Sequence, residues 1–261
     1  MRARSLLPTR QVCPPTRGLV LSPFVPVAVA EACGRHPHLA APCPHGWVRV
    51  DMHFHSMWSG DCTTTPEEIE RAVVASGIDV VCITDHNAVN GAFELAAELS
   101  CRVVVGEELR TGRGEIIGLF LRERIPLGLS PVEAARRIRD QGGVVYIPHP
   151  FDPMRANLHR ESLSELTELG LVDAVEVLNA KTSLQALNAD ARAHAERFGL
   201  GMGAGSDGHV AEALGAALVE MPDFDSADEF KANLHSGRVV GHHWDQPRPW
   251  CPRIVPSTKA V

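Results

Sequence analysis

The stretch VDMHFHSMWSGD, residues 50–61, places two histidines on either side of a phenylalanine at the end of an apolar run. On a β-strand, residues i and i+2 share a face and lie about 6.5–7 Å apart, so His53 and His55 can reach one metal ion or two neighbouring ions. The spacing alone is weak evidence, because the chain repeats it at His36 and His38, in a proline-rich segment without a strand pattern. The meaning of the first pair therefore depends on the rest of the chain.

Strand-like and helix-like segments alternate on the carboxyl side of this stretch. Capping signatures mark the starts of helices, as in Thr65 with Glu68 and Ser130 with Glu133. The strands are apolar along their length, which predicts a parallel sheet, and about seven repeats favour a barrel over an open sheet. A glycine-bearing turn at 112–114 is expected to join two successive strands directly. In such a barrel, functional side chains collect at the carboxyl ends of the strands.

Composition sets the limits of the folded region. Residues 1–46 are rich in proline and arginine and lack periodicity, so we expect a disordered N-terminal extension. Residues 246–261 have the same character and are expected to form a flexible tail. The working domain is therefore predicted to span 47–245, a size that one α/β domain can reach.

Charge and cysteine content exclude some classes of protein. The net charge of −7 argues against a protein that holds nucleic acid mainly through phosphate contacts, so no stable nucleic-acid complex is expected. No apolar run approaches the roughly 18 residues that a membrane span needs. The seven cysteines are odd in number and include no C-x-x-C pair, which indicates a reducing compartment and a cytoplasmic location.

Nearly every predicted strand carries a histidine or a carboxylate at its functional end. This convergence, rather than any single motif, indicates a metal site. Asp85 and His86 are adjacent on a strand and should point in opposite directions, so one of the two is expected to enter the site. The candidate side chains are His53, His55, Asp61, Asp85, His86, Glu107, Glu108, Glu115, His149, Asp207 and His209.

The ordered motifs VDMHFHS, GDCTTTPEEI, ITDHN, GEEL, IPHPFD and GSDGH resemble those of the polymerase-and-histidinol-phosphatase (PHP) family of metal-dependent phosphoesterases. The resemblance covers about residues 49–215. It implies an α/β fold, a distorted (β/α)7 barrel of PHP type, with up to three divalent ions at its C-terminal face. Mixed imidazole and carboxylate ligands suit Zn, Mn or Fe, and the sequence does not choose among them.

The resemblance distributes the ligands over three ions. The first ion takes His53, His55, Glu108 and Asp207, the second takes Glu108 and His149, and the third takes Asp61, His86 and His209. Glu115 stands where many relatives have a histidine, and a carboxylate can replace imidazole as a ligand of a divalent ion. Glu107 is the alternative to Glu108, which is preferred because the family pattern puts the ligand two residues after the glycine.

The implied chemistry is metal-assisted hydrolysis of a phosphoester in a small molecule. A water that bridges the ions is deprotonated and attacks phosphorus, and His209, or alternatively His86, protonates the leaving alcohol. Three divalent ions outweigh the four ligand carboxylates, which leaves a positive remainder that attracts a phosphate dianion. Asp207 and His209 are the predicted catalytic residues. Arg155, Lys181 and Asn179 follow strands on loops that should face the site, where they are predicted to bind substrate.

The substrate itself is left open. A nucleotide or short oligonucleotide competes with histidinol phosphate as the phosphate compound that is hydrolysed. An amidohydrolase-type C–N hydrolase is a further alternative, because that chemistry also uses an H-x-H pair and a late aspartate in barrels. A non-catalytic metal-binding module is the last, although the near-complete ligand set argues against it. The oligomeric state is not predicted.

Overall fold

The computed structural model describes residues 27–182 and 184–245. Within these ranges the strands form one nine-stranded sheet, which curls into a nearly closed barrel with helices on its outer surface. The strands are β1 (Trp47–Phe54), β2 (Val80–Ile83), β3 (Arg102–Thr111), β4 (Gly114–Leu119), β5 (Val144–Ile147), β6 (Ala174–Asn179), β7 (Gly201–Gly205), β8 (Ala217–Pro222) and β9 (Arg238–Gly241). The helices are α1 (Val27–Arg35), α2 (Pro66–Ser76), α3 (Asn90–Glu98), α4 (Pro131–Asp140), α5 (Arg160–Glu168), α6 (Gln185–Phe198) and α7 (Ala227–Leu234), with short 3-10 turns at Pro37–Ala40 and Ala211–Ala213.

The strand order is β7-β6-β5-β4-β3-β2-β1-β8-β9. Pairs joined through a helix, such as β1 with β2 and β5 with β6, are parallel, as the alternation of segments predicts. β4 differs, because it runs antiparallel to both β3 and β5. The turn between β3 and β4 is too short for the helical crossover that a parallel pair needs. The barrel fold is therefore confirmed, but its sheet is mixed rather than fully parallel.

Alternation along each strand separates two apolar layers. In β2, Val80 and Cys82 pack in the barrel interior, where they meet Val50 from β1. Val81 and Ile83 point outward and pack beneath α2 and α3. Because both faces of the strands are covered, the side chains that point inward and those that point outward are both apolar. The interior is filled with side chains, so the functional groups are left for the ends of the strands.

The predicted capping signatures position the helices around the barrel. Thr65 accepts a hydrogen bond from the main-chain N–H of Glu68, whose side chain accepts one from Thr65 N–H, and Ser130 and Glu133 make the same pair of bonds before α4. Gly77 ends α2 with a φ of 66°, which a residue without Cβ adopts at little cost. Both predicted capping boxes are confirmed.

The predicted boundary at residue 47 is wrong, because residues 27–46 are part of the folded unit. Leu39 is buried against the helices that cover β1 and β2. His36 and His38, expected to lie in a disordered segment, place their Nε2 atoms 2.8 Å from the carbonyl oxygens of Glu212 and Gly215. Both partners lie more than 170 residues further along the chain, so no local sequence pattern predicts these contacts. Residues 1–26 and 246–261, for which disorder was expected, lie outside the described residues.

Arg49 on β1 joins this N-terminal segment to the sheet. Its guanidinium donates to the carbonyl oxygens of Leu39 and Ala41, and its Nε lies 3.2 Å from Glu220 Oε1 on β8. The side chains of Arg49 and Glu220 are only 8% and 7% exposed. A buried charge pair of this kind depends on the surrounding acceptors, since either charge alone would be costly to bury.

Two further expectations concern the surroundings of the protein. Among the described residues, none of the helices combines the length and the apolar character that a membrane crossing requires. The five cysteines in the described part of the chain, at positions 33, 43, 62, 82 and 101, are free thiols. The predicted cytoplasmic location stays a prediction.

Candidate metal centre

All nine predicted metal ligands lie at one end of the barrel. The antiparallel direction of β4 explains how Glu115, near the start of its strand, reaches the same end as the residues that finish β1, β2, β3 and β5. Asp61 is 41% exposed and His86 is 18% exposed, whereas the other seven side chains are buried. Four groups bring their ligand atoms within 4.8 Å of one another: His55, Asp61, His86 and His209; His53, His55 and Glu108; His53, His149 and Asp207; and His86, Glu108 and Glu115.

A β-bulge aims the opening histidine pair. The register between β1 and β2 shifts between Asp51 and Phe54, so the alternation of side chains changes phase within the strand. Met52 still packs in the barrel interior, whereas Phe54 packs outward beneath the helices. His53 and His55 consequently turn inward, and their Nε2 atoms lie 3.1 Å apart. The predicted shared face is confirmed, and the bulge is the local feature that produces it.

Glu108 lies at the centre of the cluster. One of its carboxylate oxygens is 3.4 Å from His53 Nε2, 3.3 Å from His55 Nε2 and 3.2 Å from His86 Nδ1, while the other is 3.1 Å from His149 Nε2. This carboxylate therefore touches side chains from three other strand ends. Glu107 points to the opposite face of β3, where it accepts a hydrogen bond from the N–H of Ile125. The choice of Glu108 over Glu107 agrees with the geometry.

Asp61, His86 and His209 meet at the open edge of the cluster. Asp61 Oδ2 lies 3.1 Å from His209 Nε2 and 3.6 Å from His86 Nε2. His55 joins them, with its ring centroid 4.2 Å from that of His209. The neighbour of His86 turns away as predicted, since both oxygens of Asp85 bond to Ser56, at 2.6 Å from its N and from its Oγ.

Glu115 lies within reach of two predicted ligands. Its Oε1 is 3.7 Å from His86 Nδ1, and its Oε2 is 3.8 Å from His149 Nε2. The side chain is 3% exposed, and Oε1 also accepts a 2.8 Å hydrogen bond from Arg110 Nε. Glu115, at the position where many relatives have a histidine, thus lies in the cluster, and Arg110 is hydrogen-bonded to it.

Two ligands have left-handed backbone conformations. His149 has a φ of 29° and Asp207 a φ of 48°, and neither is a glycine. Such conformations are costly for residues with a side chain and persist only where surrounding contacts enforce them. The main-chain N–H of His149 donates to Glu176 Oε2 at 2.7 Å, and that of Asp207 donates to the carbonyl oxygen of His53 at 2.7 Å. The main chain therefore fixes both side chains in the cluster.

Glu176 on β6 contacts the cluster, and the sequence analysis missed it. It is 1% exposed, and its Oε1 lies 3.1 Å from His53 Nδ1. The Glu176 oxygen accepts from His53 Nδ1, so Nε2 is the ring nitrogen that faces the cluster. The other oxygen accepts from His149 N–H and, at 3.0 Å, from Asn179 Nδ2. The available signal was a single carboxylate inside the apolar strand DAVEVLNA.

The three predicted substrate-binding residues all meet Asp207. Lys181 Nζ lies 3.4 Å from Asp207 Oδ1, Arg155 lies 3.6 Å from Oδ2 through a terminal nitrogen, and Asn179 Nδ2 donates to Oδ2 at 3.3 Å. Lys181 Nζ is also 3.0 Å from His209 Nδ1. The side chain of Lys181 is 11% exposed and that of Arg155 is 24% exposed. Both cations therefore face the cluster rather than bulk solvent.

The electrostatics of the cluster favour cations. Burial raises the pKa of Asp207, but the Lys181 ammonium and the charge of His53 outweigh it and hold that pKa well below its usual value. Burial also opposes the charge on His86, yet the hydrogen bond to Asp61 and the charge of Glu108 raise its pKa to about 9. The Asp207 and Glu108 carboxylates thus stay ionised and attract positive charge, which protons on histidine supply when no other cation is bound. Glu115 differs, because burial and the charge of Glu108 raise its pKa.

The donor set fits divalent metal ions. His53 Nε2 faces His55 Nε2 at 3.1 Å, and a cation between the two nitrogens would bind both. His86 Nδ1 is buried without a hydrogen-bond partner, although it lies 3.2 Å from Glu108 Oε2. Imidazole together with carboxylate is the ligand combination of Zn, Mn and Fe sites in proteins. His53 and its partner Glu176 form the carboxylate–histidine arrangement that orients metal ligands.

Comparison with known proteins adds a family and a fold. A family model described as PHP-associated matches residues 185–239. An uncharacterized protein from Methanocaldococcus jannaschii is 40% identical over 146 residues, which cover 51% of this chain and 82% of that protein. That coverage relates most of the archaeal protein to about half of this chain.

Two solved structures have the same architecture at low sequence identity. A two-domain protein from Bacteroides vulgatus, containing a predicted PHP-like metal-dependent phosphoesterase, has a TM-score of 0.62 and 18% identity, over 77% of this chain and 67% of that one. Endonuclease Q, in complex with a 27-mer duplex that has an abasic lesion at the active site, has a TM-score of 0.57 and 16% identity, over 73% of this chain and 57% of that one. These two similarities establish the fold.

Proposed function

The chain belongs to the PHP family, and on that premise we propose that it is a metal-dependent phosphoesterase acting on a small phosphate compound, a nucleotide or a short oligonucleotide. The observation that carries the proposal is the position of Glu108, which contacts four histidines from three other strand ends within 3.1–3.4 Å. A carboxylate in that position can bridge two ions, which is the arrangement that phosphoester hydrolysis uses.

The residues are assigned to ions as the family resemblance implies, and the short distances within each set support the assignment. His53, His55, Glu108 and Asp207 form one set, Asp61, His86 and His209 form another, and Glu108, Glu115 and His149 surround the remaining position. When bound, divalent ions supply Lewis-acid stabilisation of phosphoryl oxygens and lower the pKa of water. The protein supplies the preorganised donors, so that little rearrangement is needed when charge develops.

Lys181 and Arg155 complete the site for a phosphate. Both cations lie against Asp207 and are largely shielded from solvent, where an electrostatic contact is stronger than at the surface. A phosphoryl group beside Asp207 would therefore meet an ammonium and a guanidinium on its outer side. Asn179 holds Asp207 and Glu176 together, which makes it a positioning residue.

The proton for the leaving oxygen is assigned to Lys181, beside His209. His209, or alternatively His86, was the predicted donor, but His209 Nε2 lies 3.1 Å from Asp61 and its Nδ1 lies 2.9 Å from the carbonyl oxygen of Asp207. Lys181 Nζ, 3.0 Å from His209 Nδ1, carries hydrogens that it can donate at that edge of the cluster. Asp207 Oδ1, 3.4 Å from Lys181 Nζ, then holds the ammonium in place, and the role of His209 is to bind metal.

The neighbour endonuclease Q, whose complex holds a DNA duplex, supports substrates related to nucleic acids over histidinol phosphate. The test is a phosphate-release screen of purified protein loaded with Mn or Zn, using nucleotides, short oligonucleotides, sugar phosphates and histidinol phosphate. We expect turnover of a nucleotide or oligonucleotide, and its loss together with bound metal in His55→Ala and Asp207→Ala. His194→Ala, whose ring packs on Phe151 and Phe198, is the control and retains activity. Turnover of an amide without any phosphoester would overturn the proposal.

A further inference from the structure

Arg110 lies on the face of β3 that carries Glu108, two residues further toward the strand end. It is the direct partner of Glu115 across the β3–β4 pair, and its Nε donates to Glu115 Oε1 at 2.8 Å. Glu115 is 3% exposed, whereas the side chain of Arg110 is 62% exposed. One edge of the guanidinium is therefore held by a ligand carboxylate, and the rest of the group faces the solvent above the cluster.

The main chain at Arg110 is held as well. Its N–H donates to Asn87 Oδ1 at 2.9 Å, and Asn87 N–H donates to the carbonyl oxygen of Glu108 at 3.0 Å. Asn87 has a φ of 52°, a conformation that asparagine tolerates better than most residues with a side chain. The turn that follows His86 thus supports the strand end from which Arg110 projects. An arginine supported at both main chain and Nε loses less conformational entropy when it binds an anion.

Arg110 differs from the other two cations in position and exposure. Lys181 and Arg155 are 11% and 24% exposed and both contact Asp207. Arg110 contacts Glu115, and the nearby charges of Glu115, Glu108 and Asp61 raise its pKa together with that hydrogen bond, which is the largest cause. Lys181 and Arg155 are therefore placed to contact a phosphoryl group beside Asp207. Arg110 lies on the Glu115 side of the cluster, at the solvent-exposed edge.

We propose that Arg110 forms an outer phosphate subsite, which binds a second phosphate group of the substrate next to the one that reacts. The inference rests on the proposed phosphoesterase function and specifies its substrate class. Arg110 Nε donates to Glu115, so the two terminal nitrogens can donate to two phosphate oxygens in the paired geometry that guanidinium favours. A substrate with a single phosphate leaves this group unused. A nucleotide with a further phosphate, or a short oligonucleotide, occupies both positions.

The test compares two ligands that share a base, a sugar and a terminal phosphate. Thymidine 5′-monophosphate has one phosphate, and the 5′-phosphorylated dithymidine dinucleotide adds one phosphodiester. We measure kcat/KM and the calorimetric Kd for both with Mn-loaded protein. In Arg110→Met the preference for the dinucleotide should fall about 10-fold or more, as expected for loss of a charge-assisted contact, and Arg110→Lys should give a smaller fall.

Arg113→Met is the matched control, because Arg113 lies on the same hairpin, is 55% exposed and pairs with Glu161 away from the cluster. Its preference for the dinucleotide should equal that of the wild type. An equal loss on both ligands in Arg110→Met, or an unchanged preference, would overturn the subsite. If the wild type binds both ligands but hydrolyses neither, the proposed function fails, while the Kd ratios still decide the role of Arg110. Bound metal and Tm, measured for every variant, identify a loss caused by unfolding.

Discussion

The main-chain N–H of Asp207 donates a hydrogen bond of 2.7 Å to the carbonyl oxygen of His53. Two residues further along β1, His55 N–H donates to the carbonyl oxygen of Gly208, the residue after Asp207, at 2.9 Å. The end of β1 and the segment after β7 are therefore paired as neighbouring strands, and this pairing closes the barrel at the metal centre. His53 and Asp207, two of the predicted ligands, are therefore positioned by main-chain contacts as well as by those of their side chains.

Two adjacent glutamates give a matched test of the ligand set. Glu108→Gln removes the charge that contacts four histidines, so we expect phosphoesterase activity to fall more than about 100-fold, beyond the loss typical of a supporting group. Bound metal, measured by elemental analysis, should fall with it. Glu107→Gln changes the opposite face of β3 and should retain both metal and activity. Loss of metal and activity in Glu107→Gln but not in Glu108→Gln would show that Glu107, not Glu108, faces the cluster.

Glu176→Gln tests the residue that orients His53. Glutamine has one acceptor oxygen where the carboxylate has two, so it cannot serve both His53 Nδ1 and the N–H of His149. We expect metal affinity and kcat to fall about 10- to 100-fold, as for other groups that support metal ligands. Competition with a chelator measures the first and steady-state kinetics the second. A variant that lost thermal stability but kept its metal affinity would indicate a packing role only.

The N-terminal segment is expected to stabilise the barrel through Arg49. Arg49→Met leaves the carbonyl oxygens of Leu39 and Ala41 without their donor and should lower the free energy of unfolding by about 3 kcal/mol. Arg238 pairs with the same Glu220, at 2.6 Å, but its side chain is 55% exposed. Arg238→Met should therefore cost less than about 1 kcal/mol. Urea unfolding of the two variants measures the difference, and equal costs would contradict the proposed role of burial.

The histidine that looked uninformative in the sequence should control acid stability. Burial lowers the pKa of His36 to about 4, and His242, His38 and Arg35 lower it further against the opposing hydrogen bond to Glu212. The unfolded chain takes up this proton near pH 6.5, so the stability due to neutral His36 is complete above that pH and is lost toward pH 4. That loss amounts to roughly 1–2 kcal/mol.

His36→Gln has no such proton, and its deficit relative to the wild type should shrink between pH 7.5 and pH 4.5. Urea unfolding at several pH values follows this deficit directly. Because both proteins keep the same metal centre, its own titration cancels in the comparison. A deficit that stays constant with pH would mean that His36 contributes packing alone.

Local signals predicted the helix starts, and the order of the motifs, with the family resemblance, predicted which side chains gather at the cluster. Thr65 with Glu68 fixes a helix start within four residues, and an H-x-H pair at a strand end needs only the alternation of a strand. Three features depend on contacts far apart in the chain. The bulge before Phe54 is defined by the pairing of β1 with β2, and Glu176 acquires its role from His53 on another strand. His36 is buried where its ring nitrogen hydrogen-bonds to the carbonyl oxygen of Glu212, 176 residues further along the chain.

The main-chain pairing of His53 with Asp207 has a consequence for biosynthesis. A growing chain presents the β1 histidines early, but the main-chain partner of His53 is made only when translation reaches residue 207. A chain interrupted before that point lacks Asp207 and His209, together with the strand that closes the barrel beside β1. A truncated chain of this kind therefore lacks part of the candidate metal site, and its content of bound metal should be lower than that of the full chain.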